Sequence, residues 1–208
     1  MDQPQPEFLT FGSQGSKRER TRALLLRSGV AVIAEKGIEA LRITDVTDHA
    51  GVANGTYYNY FDDKDALISA ISDEVLGGLA EALDRGLESE DNAVRRMTLA
   101  TAGAIRGALI YAEVGAVVAN MAEQMPATRG RLLHFMRQDL ILGVEQGRFE
   151  VEISDFLLEQ IFALVVVAIR EQSRSGPDPE KTKQVCEHIL RLCGLTPSAA
   201  RRAVASVL

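Results

Sequence analysis

The chain has 208 residues, a net charge of −6 and 46% apolar residues, which is enough to bury a substantial core and to divide into a short module and a larger one. Its longest apolar run, residues 161–169, falls far short of the roughly 20 residues that cross a bilayer. The opening MDQPQPEFLTFGSQGS is polar, acidic and broken by prolines, unlike a secretory leader, so a cytoplasmic protein with no membrane partner is expected.

Other classes are set aside on the same reading. There is no Gly-rich phosphate loop and no His or Cys cluster at metal spacing, and His49, His134 and His188 fall on separate predicted helices. The chain is therefore expected to be no enzyme, with no catalytic residues, no metal and no cofactor. Cys186 and Cys193 stand seven residues apart on one predicted helix, a spacing that does not suit a disulfide. They read as buried thiols in a reducing compartment.

In chain order, residues 1–15 are expected to form a disordered tail and residues 16–63 a compact three-helix module. Ser16 is a helix cap, Leu24, Leu25, Val30, Ala31 and Ile33 mark a mostly one-sided apolar stripe, and Gly37 is a stop. Thr44 is expected to cap a second short helix with Val46 and Ala50 turned inward, and Gly51 to supply the positive φ of a tight turn. Asn54-Gly55-Thr56 then opens a third helix reaching Phe61. Tyr57, Tyr60 and Phe61 share one face of it by their i, i+3, i+4 spacing, leaving Asn54, Gly55, Tyr58 and Asn59 on another. The first face is expected to be core and the second to meet DNA, since a helix this short has no internal use for a second aromatic face. An early helical glycine such as Gly55 costs about 1 kcal/mol against alanine unless something must approach the backbone.

Charge distribution agrees with a DNA-reading head. Lys17, Arg18, Arg20, Arg22, Arg27, Lys36 and Arg42 balance Asp2, Glu7, Glu19, Glu35, Glu39, Asp45 and Asp48 up to Phe61, so the acidic excess lies wholly beyond the module. An acidic body repels DNA except at the reading surface. A nonspecific architectural binder would carry a basic surface instead.

The stretches AEKGIEAL, ITDVTDHAGV and NGTYYNYFDDKDALISAI, between Lys17 and Ile71, resemble the N-terminal DNA-binding domain of the TetR family of transcriptional regulators. The resemblance rests on Gly37, Thr44, Ala50-Gly51-Val52, Gly55-Thr56, Tyr58, Tyr60-Phe61 and Lys64. It implies that Asn54, Gly55 and Tyr58 approach bases while Thr44, Thr56, Asn59, Tyr60 and Lys64 hold phosphates. Ala53-Asn54 stands where the family often has Ser-Lys, which removes a hydroxyl and a charge; Asn54 could instead contact adenine through both amide atoms.

Residues 64–208 are expected to be a helical effector-binding and dimerisation domain, giving an all-α fold. A long fourth helix, residues 64–87, would be capped by Asp62 or Asp63 and weakened at Gly77-Gly78. Further helices are expected over 92–111, 112–124, 127–146, 154–173 and 179–192, with a last short one from Thr196-Pro197 and a brief strand-like pattern at 149–153. Residues 161–169 are apolar all round and must be covered on two sides. Ile161, Leu164, Val165 and Ala168, with Val185 and Ile189 on the next helix, are therefore expected to pair with a second copy in a four-helix interface.

Small residues in ATAGAIRGALIYAEVGAVVANMAEQM can leave an apolar pocket for an unknown small molecule, with Arg106, Tyr111, Glu113, Asn120, Gln124, His134 and Gln138 as polar candidates. The resulting expectation is a homodimeric regulator, a repressor by resemblance, that binds a palindromic operator in double-stranded DNA and is released by an effector. The alternative is a helical DNA-binding or protein-interaction protein with no small-molecule ligand.

Overall fold

The computed structural model describes residues 15–110 and 126–208. Nearly all of the expected tail, and the helix expected over 112–124, lie outside the described residues.

Ten α-helices are described: α1 (Lys17–Lys36), α2 (Ile43–Ala50), α3 (Asn54–Tyr57), α4 (Lys64–Ser72), α5 (Gly78–Gly86), α6 (Ala93–Ile110), α7 (Pro126–Glu145), α8 (Asp155–Ser175), α9 (Pro179–Leu192) and α10 (Pro197–Ala205). A π-helical turn, Asp73–Gly77, joins α4 to α5. There is no strand among the described residues, as an all-α fold requires.

Local chemistry sets the ends of α1. The Glu19 backbone N–H donates to Ser16 Oγ at 3.3 Å and the Ser16 N–H donates back to Glu19 Oε2 at 2.6 Å, a reciprocal cap that satisfies two orphan donors. Those bonds hold the Glu19 carboxyl below its ordinary range. At the other end Gly37 takes φ 80°. The buried face is wider than the expected stripe, because Leu26 and Val32 join it while Leu24 and Ala31 are only half-buried. Gly29 makes this possible: a Cβ there would stand 2.5 Å from Ile71 Cδ1, so α1 and α4 approach closely only because that position carries no side chain.

The fourth helix departs from expectation in one respect. Asp63 caps it, accepting from the Ala66 N–H at 2.8 Å, but helical geometry runs straight through Gly77 and Gly78. The irregularity is the π-helical turn just before them, which ends at Gly77. Such a turn shifts the register of one face against the next and marks a point where a helix can bend.

In the body α6 packs against α8 and α9, and α7 against α6 and α8. Pro126 is the first residue of α7, one before the start expected at 127. Ser154, Asp178 and Thr196 cap α8, α9 and α10 through their side chains. The 149–153 segment forms no strand: Phe149 packs over Gly143 and the Glu150 N–H donates to the Cys193 carbonyl at 3.0 Å. Cys186 and Cys193 are free and buried, and burial pushes each thiol up to about 12. A continuous apolar core runs from α1 through the body to α10.

Candidate nucleic-acid interface

The head is built around α2, a tight turn and α3. Helix α2 begins two residues earlier than the sequence predicts: Arg42 is its N-cap, with no side-chain cap bond. Thr44 is thus exposed in the first turn rather than capping it. Gly51 takes φ 65°, and the Val52 N–H donates back to the Thr47 carbonyl at 3.0 Å, the closure a left-handed residue allows at a helix end. His49 Nδ1 lies 3.0 Å from Ser28 Oγ and Lys36 bridges Asp45 at 3.1 Å, so α2 is tied to α1 by polar as well as apolar contacts.

Helix α3 is shorter than expected. It is helical only over Asn54–Tyr57, and then tightens so that the Asn59 and Tyr60 N–H groups bond to carbonyls three residues back. The division of faces survives this tightening. Tyr57 is 0% exposed and Phe61 5%, with ring centroids 5.6 Å apart, and the Tyr57 hydroxyl donates to the Asp63 carbonyl at 2.7 Å. Burial, with Asp63 nearby, raises the Tyr57 phenol well above its usual range. Tyr58, edge-on to Tyr57, is 57% exposed.

Around Tyr58, Thr44, Asn54, Gly55 and Asn59 are exposed, while Thr56, Tyr60 and Lys64 are half-exposed. A Cβ at Gly55 would meet nothing within 4 Å, so the chain's own packing does not require glycine there. What the position offers is a bare backbone to something arriving from outside.

Three supporting residues are not evident from the sequence pattern. Arg18 reaches from α1 to the Asn59 carbonyl at 3.4 Å and lies 5.5 Å over the Tyr60 ring, and Arg22 stands 5.6 Å over Phe61. The basic run at the start of α1 therefore braces the α3 turn, in addition to placing charge at its edge. Thr47 is buried, and its hydroxyl meets both the Thr44 carbonyl and the Asn54 amide. The Thr47 hydroxyl thus engages Asn54 Oδ1 and ties that amide to α2.

In the body, an apolar cavity of about 100 Å³ lies among α5, α6, α7 and α8. Its polar wall is a cluster formed by Arg96, Asp84 and Asp139: Arg96 donates to both carboxylates and to the Leu87 carbonyl. None of these three was singled out by sequence, because their positions on three helices carry no local signal. Of the expected pocket residues, Arg106, His134 and Gln138 are exposed and none lines this cavity; Arg106 borders a separate hollow against α9. Tyr111, Glu113, Asn120 and Gln124 lie outside the described residues.

The expected pairing face also needs correction. Ile161, Val165, Ala168 and Ile189 are buried in the chain's own core, and Leu164 and Val185 are half-buried, so the first four have no free surface to offer a partner. The apolar side chains left outside on α8 are Phe156, at 73% exposure, and Val167, at 58%, with Ala163 between them. Helical spacing puts 156, 160, 163 and 167 on one stripe. Sequence could not separate the two sides of a helix that is apolar all round.

A helix-turn-helix head joined by a helical connector to an all-helical body defines a class of two-part helical proteins. Within that class, residues 25–71 match the model for bacterial regulatory proteins of the tetR family. The chain is 35% identical over 68 residues to the uncharacterised HTH-type transcriptional regulator YvdT of Bacillus subtilis, covering 33% of this chain and 35% of that one. It is 31% identical over 90 residues to the HTH-type transcriptional repressor KstR2 of Rhodococcus jostii, covering 41% and 42%. The chain thus spans less than half the length of these curated relatives. A solved structure of RolR in complex with resorcinol superposes with a TM-score of 0.68 and 28% identity, over 91% of this chain and 95% of that one.

Proposed function

We propose that this protein is a transcriptional repressor of the cytoplasm that binds a palindromic operator in double-stranded DNA as a homodimer and is released by a small-molecule effector. The observation that carries the reading is the exposed Tyr58 beside a fully buried Tyr57 in the family-matched segment. Tyr58 shares its outward surface with exposed Thr44, Asn54, Gly55 and Asn59, so an aromatic ring, hydrogen-bonding groups and a bare backbone stand together where a nucleic acid can approach. In this reading residues 16–63 form the DNA-binding domain and residues 64–208 the effector and dimerisation domain.

Asn54, Gly55 and Tyr58 face base edges, and Thr44, Thr56, Asn59, Tyr60 and Lys64 set the register on phosphates. The exposed stripe of α8, with Leu164, His188 and Leu192 bordering a groove beside it, meets its symmetry mate. This pairing sets the two reading turns about one helical repeat of DNA apart. The cavity among α5 to α8 receives the effector, a reading supported by the resorcinol complex of RolR. An effector changes DNA affinity by preferring one body arrangement, and α4, its π-helical turn and α5 provide the continuous path from cavity to head.

Tyr58→Ala tests the reading surface. The variant should keep its thermal stability and lose about 1–3 kcal/mol of operator affinity, measured by fluorescence anisotropy on a labelled duplex. Unchanged affinity in the folded variant removes Tyr58 from the interface.

A further inference from the structure

The cavity among α5 to α8 has a chemical bias in its wall. Leu83, Ala104, Leu132, Phe162 and Val166 make most of it apolar. The polar part is Asp84, Arg96 and Asp139, with Thr101 nearby. Arg96 Nε donates to Asp139, Nη2 to Asp84 and Nη1 to the Leu87 carbonyl, so every guanidinium nitrogen is already engaged within the protein. Two carboxylates face one guanidinium, which leaves this wall with a net negative charge. Carboxylate oxygens can accept further hydrogen bonds, whereas an engaged guanidinium has few N–H groups left to give.

Such a wall accepts hydrogen bonds and disfavours a second anion. Burial already lifts the Asp139 carboxyl above its usual range against the opposing pull of Arg96, and an anion entering beside it meets the same poorly solvated surroundings. Size adds a limit. A space of about 100 Å³ is smaller than the apolar cavity of about 150 Å³ known to hold one benzene ring, so it has no room for a long acyl chain and room for at most a single ring that extends into its mouth.

From this geometry we infer that the cavity takes an uncharged, single-ring molecule bearing a hydroxyl donor, which bonds to the Asp139 and Asp84 carboxylates, and that it rejects carboxylates of the same size. The inference rests on the reading of this cavity as the effector site. It adds the charge and hydrogen-bonding class of the ligand, which the apolar lining alone leaves open.

Phenol and benzoate are matched probes, one ring each, differing in charge at neutral pH. Titrated calorimetrically into the full-length protein, phenol should bind at least about tenfold more tightly than benzoate, a difference of about 1.4 kcal/mol. Ala104→Leu, which fills the cavity from α6, should abolish phenol binding. Asp139→Asn should bring the two affinities together; because Asp139 sits in a buried ion pair, Asp84→Asn at the more exposed rim is the second variant, expected to narrow the ratio in a protein that keeps its helical signal. If neither probe binds, the inferred ligand class is overturned, whereas the effector-site reading, which names no ligand class, is not. If benzoate binds as well as phenol and Ala104→Leu blocks both, the site stands and the ligand class is wrong. Phenol binding that survives Ala104→Leu places the molecule elsewhere and overturns the proposal.

Discussion

Phe61→Ala should destabilise the protein by about 3–5 kcal/mol, the range for truncating a buried phenylalanine. Phe61 closes the head's core: it is 5% exposed, packs on Tyr57, and has the Arg22 guanidinium over its ring. Its removal leaves a void beneath the α3 turn that the short, constrained turn cannot readily fill. Denaturant unfolding checks the magnitude. DNA binding should fall as a consequence of the lost fold, with a lower melting temperature preceding any loss of affinity. A variant as stable as the parent but unable to bind DNA would make Phe61 a contact residue instead and reverse the assignment of faces.

Val167→Asp should convert the protein to monomers and weaken operator binding by about two orders of magnitude or more, because two linked reading heads bind with an avidity that one head lacks. Val167 is 58% exposed, so a carboxylate there is hydrated in an isolated chain and the fold should persist. In the proposed dimer the same carboxylate is buried without a partner, which is strongly unfavourable. Analytical ultracentrifugation at micromolar concentration should give one-chain mass for the variant and two-chain mass for the parent. A variant that remains dimeric moves the interface off this stripe of α8.

Much of the fold is legible in the sequence wherever it is written locally. Ser16 before α1, Asp63 as one of two candidates before α4, Thr196-Pro197 before α10 and Gly51 in the turn each act through neighbours a few residues away, and each stands where the sequence indicates. The inward Tyr57 and Phe61 and the outward Tyr58 also follow from spacing alone. Thr44 misleads because a good capping residue within a short helix resembles one that begins it. The π-helical turn at Asp73–Gly77 is hidden because Gly77-Gly78 beside it is the obvious weak point, yet both glycines keep helical backbone angles.

What depends on distant partners is not legible. Arg96 joins Asp84 and Asp139 across three helices, and nothing near any of the three in sequence indicates it. The brace from Arg18 and Arg22 onto the α3 turn is partly visible as a basic run, but its direction is set by how α1 lies across the head. The apolar helix α8 shows that two sides must be covered. Only packing reveals that Ile161, Val165 and Ala168 face the chain's own core and that Phe156 and Val167 are left outside.

Sequence-specific DNA reading by the α3 turn is decided by a binding selection from random duplex DNA, carried out with the intact protein at near-physiological salt. The selection should enrich one palindromic site whose half-sites are about one helical turn apart, bound about 10³-fold or more tightly than scrambled duplex. A selection that returns no preferred sequence, with all duplexes bound equally or none bound, would rule out sequence-specific reading by this chain.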